Sequence, residues 1–104
     1  MSERAGAQKP WPERLTDDII ELSALDLKTS YKGKKKPSFK QFKEEVILIA
    51  EKHALDKEKE LTESSAHGKV DVKMFKIVYD TSICLLRKGD KELEGTIREA
   101  YNDL

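Results

Sequence analysis

Seven lysines and no acid fall between Lys28 and Lys43, in the run Lys-Thr-Ser-Tyr-Lys-Gly-Lys-Lys-Lys-Pro-Ser-Phe-Lys-Gln-Phe-Lys. Amines at this density steer diffusing partners and attract carboxylates and phosphates. Lys32, Lys34, Lys35, Lys36, Lys40 and Lys43, with Tyr31 beside them, are the candidate partner-binding residues. The first expected partner is an acidic protein surface. The second is a nucleic-acid backbone. Lysines around a glycine, leading into a helix start, suit phosphate oxygens, and Tyr31 offers a ring on which a base can stack. That alternative takes the form of a helix-turn-helix or winged-helix protein. Glu44, Glu45 and Glu51 follow at once and argue against a phosphate-facing helix. A third expectation is intramolecular, with the acidic segment 51–63 folding back on the lysines. A fourth is a nuclear-import cluster. Against all of these stands an ordinary solvated face, whose lysine stems cover apolar surface while the amines stay wet.

Catalytic chemistry has little to work with. The histidines are His53 and His67, without the spacing of a metal-binding pair, and the one cysteine is Cys84. A zinc site needs ligands that this pattern does not assemble. His53 falls on an apolar helical line and reads as a half-buried packing residue. Cys84 lies among Ile83, Leu85 and Leu86 and reads as a core thiol. Gly33-Lys34-Lys35-Lys36-Pro37-Ser38 has phosphate-binding residue types in the wrong order for a P-loop, with no strand before it. The acid pairs Asp17-Asp18 and Glu44-Glu45 sit near helix starts, where the helix dipole accounts for them. The expectation is a protein that is not an enzyme and carries no catalytic residue, metal or cofactor.

Composition bounds the rest. The chain has 104 residues, 38% hydrophobic and 38% charged, with a formal net charge of zero, which fits one small domain with a thin core. The neutrality is an average: residues 28–43 are strongly basic, and the stretches on either side are acidic. A general nucleic-acid binder carries a basic total, whereas this chain carries a local patch. One cysteine makes no internal disulfide. No apolar run reaches the length of a membrane span, and the first ten residues lack the apolar core of a signal peptide. The expected location is intracellular and cytoplasmic, or nuclear in a eukaryote, with no membrane contact.

The elements that must hold the lysines are helices. Residues 1–12 read as a flexible arm ending in Pro10-Trp11-Pro12, with Trp11 either a lid on the core or an exposed anchor. Residues 13–104 read as a single helical domain. A first helix is predicted over 13–28, with Leu15, Ile19, Leu22 and Asp26 on one line and Ile20, Ala24 and Leu27 on another. The lysine loop follows and ends at Pro37. Ser38 with Gln41 has the form of a capping box opening a second helix. Phe39, Phe42, Val46, Ile49 and His53 run along it, widened by Ile47, Leu48 and Ala50. Residues 56–63 either continue that helix or restart one, and 64–68 read as a loop. A third helix is predicted over 71–88, lined by Met74, Phe75, Val78, Ser82, Leu85 and Leu86, with Gly89 after its end. Val70, Val72 and Met74 also alternate with polar residues, so a short strand near 70–74 is the rival reading. Asp90 caps a fourth helix bearing Leu93, Ile97, Ala100 or Tyr101, and Leu104, folded back on the third.

One local resemblance belongs with these elements. Leu15-Thr16-Asp17 through Lys32-Gly33-Lys34, then Ser38-Phe39-Lys40-Gln41-Phe42 and Ile49-Ala50-Glu51-Lys52, resembles the degenerate EF-type segment of the p25-alpha, tubulin-polymerisation-promoting family. The resemblance covers about a third of the chain and lacks that family's glycine-rich C-terminal part. The loop carries lysine where a calcium loop needs carboxylates, so a calcium ion would be repelled. The whole reads as a mainly α, compact four-helix domain. Its expected role is a regulatory binding module that engages an acidic macromolecular surface through its lysine loop. The broad apolar faces also leave room for a homodimer.

Overall fold

The structure, a computed structural model, describes residues 10–64 and 68–104. Four helices make it: α1 (Trp11–Ser30), α2 (Phe39–Ser64), α3 (Gly68–Arg87) and α4 (Lys91–Asn102). No strand occurs among the described residues, and 70–74 lie inside α3, so the strand reading is corrected. The alternation of Val70, Val72 and Met74 is overridden by the longer helical period through Phe75 and Tyr79.

Helix α1 begins earlier than expected. Pro10 holds the N-cap position with extended ψ, its carbonyl accepts from Arg14 N at 3.0 Å, and Pro12 sits in the first turn. A proline there forfeits only an N–H that has no intrahelical partner. The Pro-Trp-Pro segment therefore starts the helix, and Trp11 packs half-buried against the core. The rest of the expected arm, residues 1–9, lies outside the described residues, as do His67 and most of the expected loop at 64–68.

Helix α1 touches each of the other three helices. Its core line is Thr16, Ile19, Ile20, Ser23, Ala24 and Leu27, whereas Leu22 and Asp26 face solvent. Thr16 and Ser23 are tolerated inside because their hydroxyls donate to the carbonyls of Pro12 at 2.8 Å and Ile19 at 2.7 Å. Helix α2 buries Phe42, Val46, Ile47, Ala50 and Ala54, and leaves Leu48 exposed. It runs unbroken through the charged segment to Ser64. At 1.5 Å per residue, 56–63 lie roughly 25 Å or more beyond the start of α2, too far to fold back on the lysine loop.

Helix α3 buries Phe75, Tyr79, Ile83 and Leu86. This phase corrects the expected one. Met74 and Leu85 are exposed, and Cys84 is exposed rather than a core thiol. Cys84 stands one residue past Ile83, a rotation of about 100° that carries it off the buried line. Gly89, at φ +92°, ends α3 with Gly89 N donating to Leu86 O and Asp90 N to Leu85 O, the bond pattern of a Schellman motif. Asp90 then caps α4 by accepting from Leu93 N at 3.0 Å. Asp90→Ala is expected to cost about 1 kcal/mol in chemical denaturation, with the unfolding slope unchanged.

Candidate functional site

The lysine loop is held at both ends. On the α1 side, Tyr31 N closes the helix on Leu27 O at 3.0 Å, Lys34 N donates to Tyr31 O at 2.8 Å, and Gly33 turns the chain at φ +80°. The Tyr31 ring lies 6.2 Å from that of Phe42. Its hydroxyl donates to Glu45 Oε2 at 2.6 Å, and that bond to the carboxylate is the main reason its pKa is raised. On the α2 side, the Tyr101 hydroxyl donates to Pro37 O at 2.6 Å. The Tyr101 ring packs on Phe39 and Phe42 at 5.3 and 5.4 Å, and Lys36 lies 4.3 Å over it. Arg98 covers the Phe39 ring at 4.0 Å, and Lys28 pairs with Asp103 at 3.0 Å. The capping box is half-formed. Ser38 Oγ accepts from Gln41 N at 3.2 Å, while the Gln41 side chain turns to Glu45 and Tyr31.

The seven candidate residues separate into three groups. Lys32, Lys34, Lys35 and Lys40 are exposed, and no side chain among the described residues pairs with their amines. Lys36 is exposed but engaged with the Tyr101 ring, and Tyr31 is half-buried with its hydroxyl committed to Glu45. Lys43 is turned inward. Its amine donates to Glu94 Oε2 at 2.7 Å and to Leu86 O at 3.1 Å, with side-chain exposures of 15% for Lys43 and 9% for Glu94. Lys43 ties α2 to α3 and α4. The hydrogen bond from Lys43 holds Glu94 below the usual glutamate pKa, with burial opposing the effect, and Arg98 at 3.5 Å adds to it.

Lys32, Lys34 and Lys35 therefore stand on an anchored loop, and Lys40 in the first turn of α2, whose dipole adds positive potential. Phe39 and Phe42 serve the core beneath the loop rather than a contact surface. Glu45 is occupied by Tyr31 and Gln41. Glu94, Arg98, Tyr101 and Asp103 support the loop from α4, more than fifty residues away in sequence, and no local pattern marks them for that role.

The other chemistry-bearing residues lie elsewhere. His53 is half-buried as expected, with Nε2 at 3.3 Å from Asp26 Oδ2. Cys84 lines a groove between α2 and α3. Among the described residues, no cluster of three or more His, Cys, Asp or Glu is placed to hold a metal ion. No helix among them is long and apolar enough to cross a membrane.

No protein-family model, curated protein or solved structure matches this chain. The p25-alpha resemblance thus stays confined to the short segments that carry it.

Proposed function

We propose that this chain is a non-catalytic binding module that docks an acidic protein surface through Lys32, Lys34, Lys35 and Lys40. The observation that carries the reading is four exposed amines, unpaired among the described residues, on a loop tied down at both ends and the first turn of the helix it enters. An anchored loop loses little conformational entropy on binding, so more of the contact energy appears as affinity. Unpaired amines meet the partner's carboxylates without first breaking an internal ion pair. The neighbouring aromatics are turned to the core, so recognition rests on charge, with fast association and strong sensitivity to salt. Lys36 contributes less, because its amine gives up the Tyr101 ring to reach a partner. Lys43 acts on the fold.

The test compares the native chain with the K32A/K34A/K35A/K40A variant on two immobilised probes at low salt, poly-glutamate and duplex DNA. The native chain is expected to be retained on poly-glutamate and the variant to pass through, with unchanged helical circular dichroism. Tighter, sequence-blind retention on the duplex gives the site to phosphate backbones instead. Equal behaviour of the two proteins on poly-glutamate removes the docking role from the loop.

A further inference from the structure

Helices α2 and α3 enclose a groove of about 610 Å³ that no residue of α1 or α4 lines. Its floor is apolar, formed by Ala54, Phe75, Tyr79 and Ile83. Burial, with the charges of Glu51 and Asp80 adding to it, pushes the Tyr79 hydroxyl well above its usual pKa, so the floor stays neutral. Leu55, 65% exposed, stands at the edge, and Leu48 lies on the same stripe one heptad earlier. On α3, Ile77 (66% exposed) and exposed Cys84 are also seven residues apart. The α2–α3 layer thus buries one face against α1, and Leu48 and Leu55 on α2 and Ile77 and Cys84 on α3 are left uncovered by the described residues.

The charges along the groove are sorted by wall. Helix α2 presents Glu44, Glu51 and Glu58 at seven-residue intervals, along one side. Helix α3 presents Lys76 and Arg87, with Lys88 just past its end and Asp80 as the exception. Arg87 reaches Glu44 at 3.2 Å and Glu51 at 3.9 Å, which fixes the register of the two antiparallel helices. Lys76 is then level with Glu58, and Asp80 is level with Leu55 rather than with a glutamate.

We infer that this groove is a self-association surface whose occupant is a second copy of the same chain. A two-fold axis parallel to the helices lays α2 of one copy over α3 of the other at the same height. Glu58 then faces the second copy's Lys76, and Glu51 stands within one helical turn of its Arg87. Asp80 faces a leucine and meets no glutamate. A two-fold axis across the helices would instead set glutamate against glutamate. An isologous contact requires a self-complementary surface, and acid on one helix with base on its neighbour supplies it. The two uncovered stripes close into a second core, α2 and α3 of each copy forming a four-helix layer.

Sedimentation equilibrium of the full chain over a wide concentration range tests the inference. A concentration-dependent species of twice 11.9 kDa is expected. Leu55→Asp, at an exposed position, is expected to raise the dimer dissociation constant by at least about tenfold while keeping the helical spectrum. Glu58→Lys is expected to weaken the dimer, and E58K/K76E to restore it. Cys84, the one thiol in the chain, is expected to react more slowly with a disulfide reagent as the dimer forms. A native chain that stays monomeric at every concentration overturns the inference. A dimer indifferent to Leu55→Asp, or an E58K/K76E protein as weak as E58K, overturns this interface.

Discussion

Phe42→Ala is expected to destabilise the domain by about 3–5 kcal/mol, a large share of what a domain of this size holds. Phe42 has no solvent exposure. Its ring lies against Tyr31 on one side and Tyr101 on the other, at 6.2 and 5.4 Å. Those two tyrosines are the posts of the lysine loop, one through Glu45 and one through the Pro37 carbonyl. Truncation removes the apolar transfer energy of a buried phenyl and leaves a cavity where α1, α2 and α4 meet. The loop is then expected to loosen first. Chemical denaturation measures the loss, and hydrogen exchange of the amides at 31–36 locates it. A loss below about 1 kcal/mol would mean that Tyr31 and Tyr101 close over the gap unaided.

The second large effect is expected at Lys43. Lys43→Met keeps the apolar stem and removes the amine that joins Glu94 to the Leu86 carbonyl. Glu94 is left nearly buried with only Arg98 beside it, and the cost is expected to be about 2–3 kcal/mol at neutral pH. The pH dependence has a fixed sign. The native fold lowers the Glu94 pKa below its ordinary value of 4.5. The associated stability is complete above that value and is lost as the pH falls through it towards the native-state pKa. Below that window the carboxyl is protonated in folded and unfolded chains alike. The gap between native and Lys43→Met proteins is therefore expected to narrow as the pH drops below the ordinary glutamate range, leaving the part due to the Leu86 carbonyl. Denaturant midpoints measured at neutral and acid pH check this. A gap that stays constant with pH would assign the loss to packing rather than to the ion pair.

These two residues also show what a linear reading of the chain can and cannot deliver. Four helices follow from apolar periodicity, and two boundaries follow from local chemistry: Asp90 before α4 and Gly89 after α3. The phase of α3 does not follow. Its apolar residues include Ile77 and Leu85 on the wet side, so several lines at helical spacing compete, and only contact with α1 and α2 selects Phe75, Tyr79, Ile83 and Leu86. Pro10-Trp11-Pro12 reads in the sequence as the end of an arm, since proline is excluded from helix interiors, whereas in the first turn it forfeits only an N–H without an intrahelical partner. The lysine loop is visible as composition, but the division of labour inside it is not. Lys43 belongs to the same basic run as Lys40, yet only the fold brings Glu94 to it across fifty-one residues. Tyr101 and Pro37 are sixty-four residues apart. Such pairings are set by helix packing, which no short window contains.

The proposed docking rests on Lys32, Lys34, Lys35 and Lys40. Its most direct measurement is the affinity of a fluorescent poly-glutamate peptide, by anisotropy, for the native chain and for K32A/K34A/K35A/K40A across a salt series. Solvent-exposed ion pairs contribute about 0.2–1 kcal/mol each, so losing four is expected to weaken binding by about fourfold or more at low salt. The native affinity is expected to fall as salt rises and to approach that of the variant. Equal affinities at low salt, or a native affinity indifferent to salt, would contradict the account.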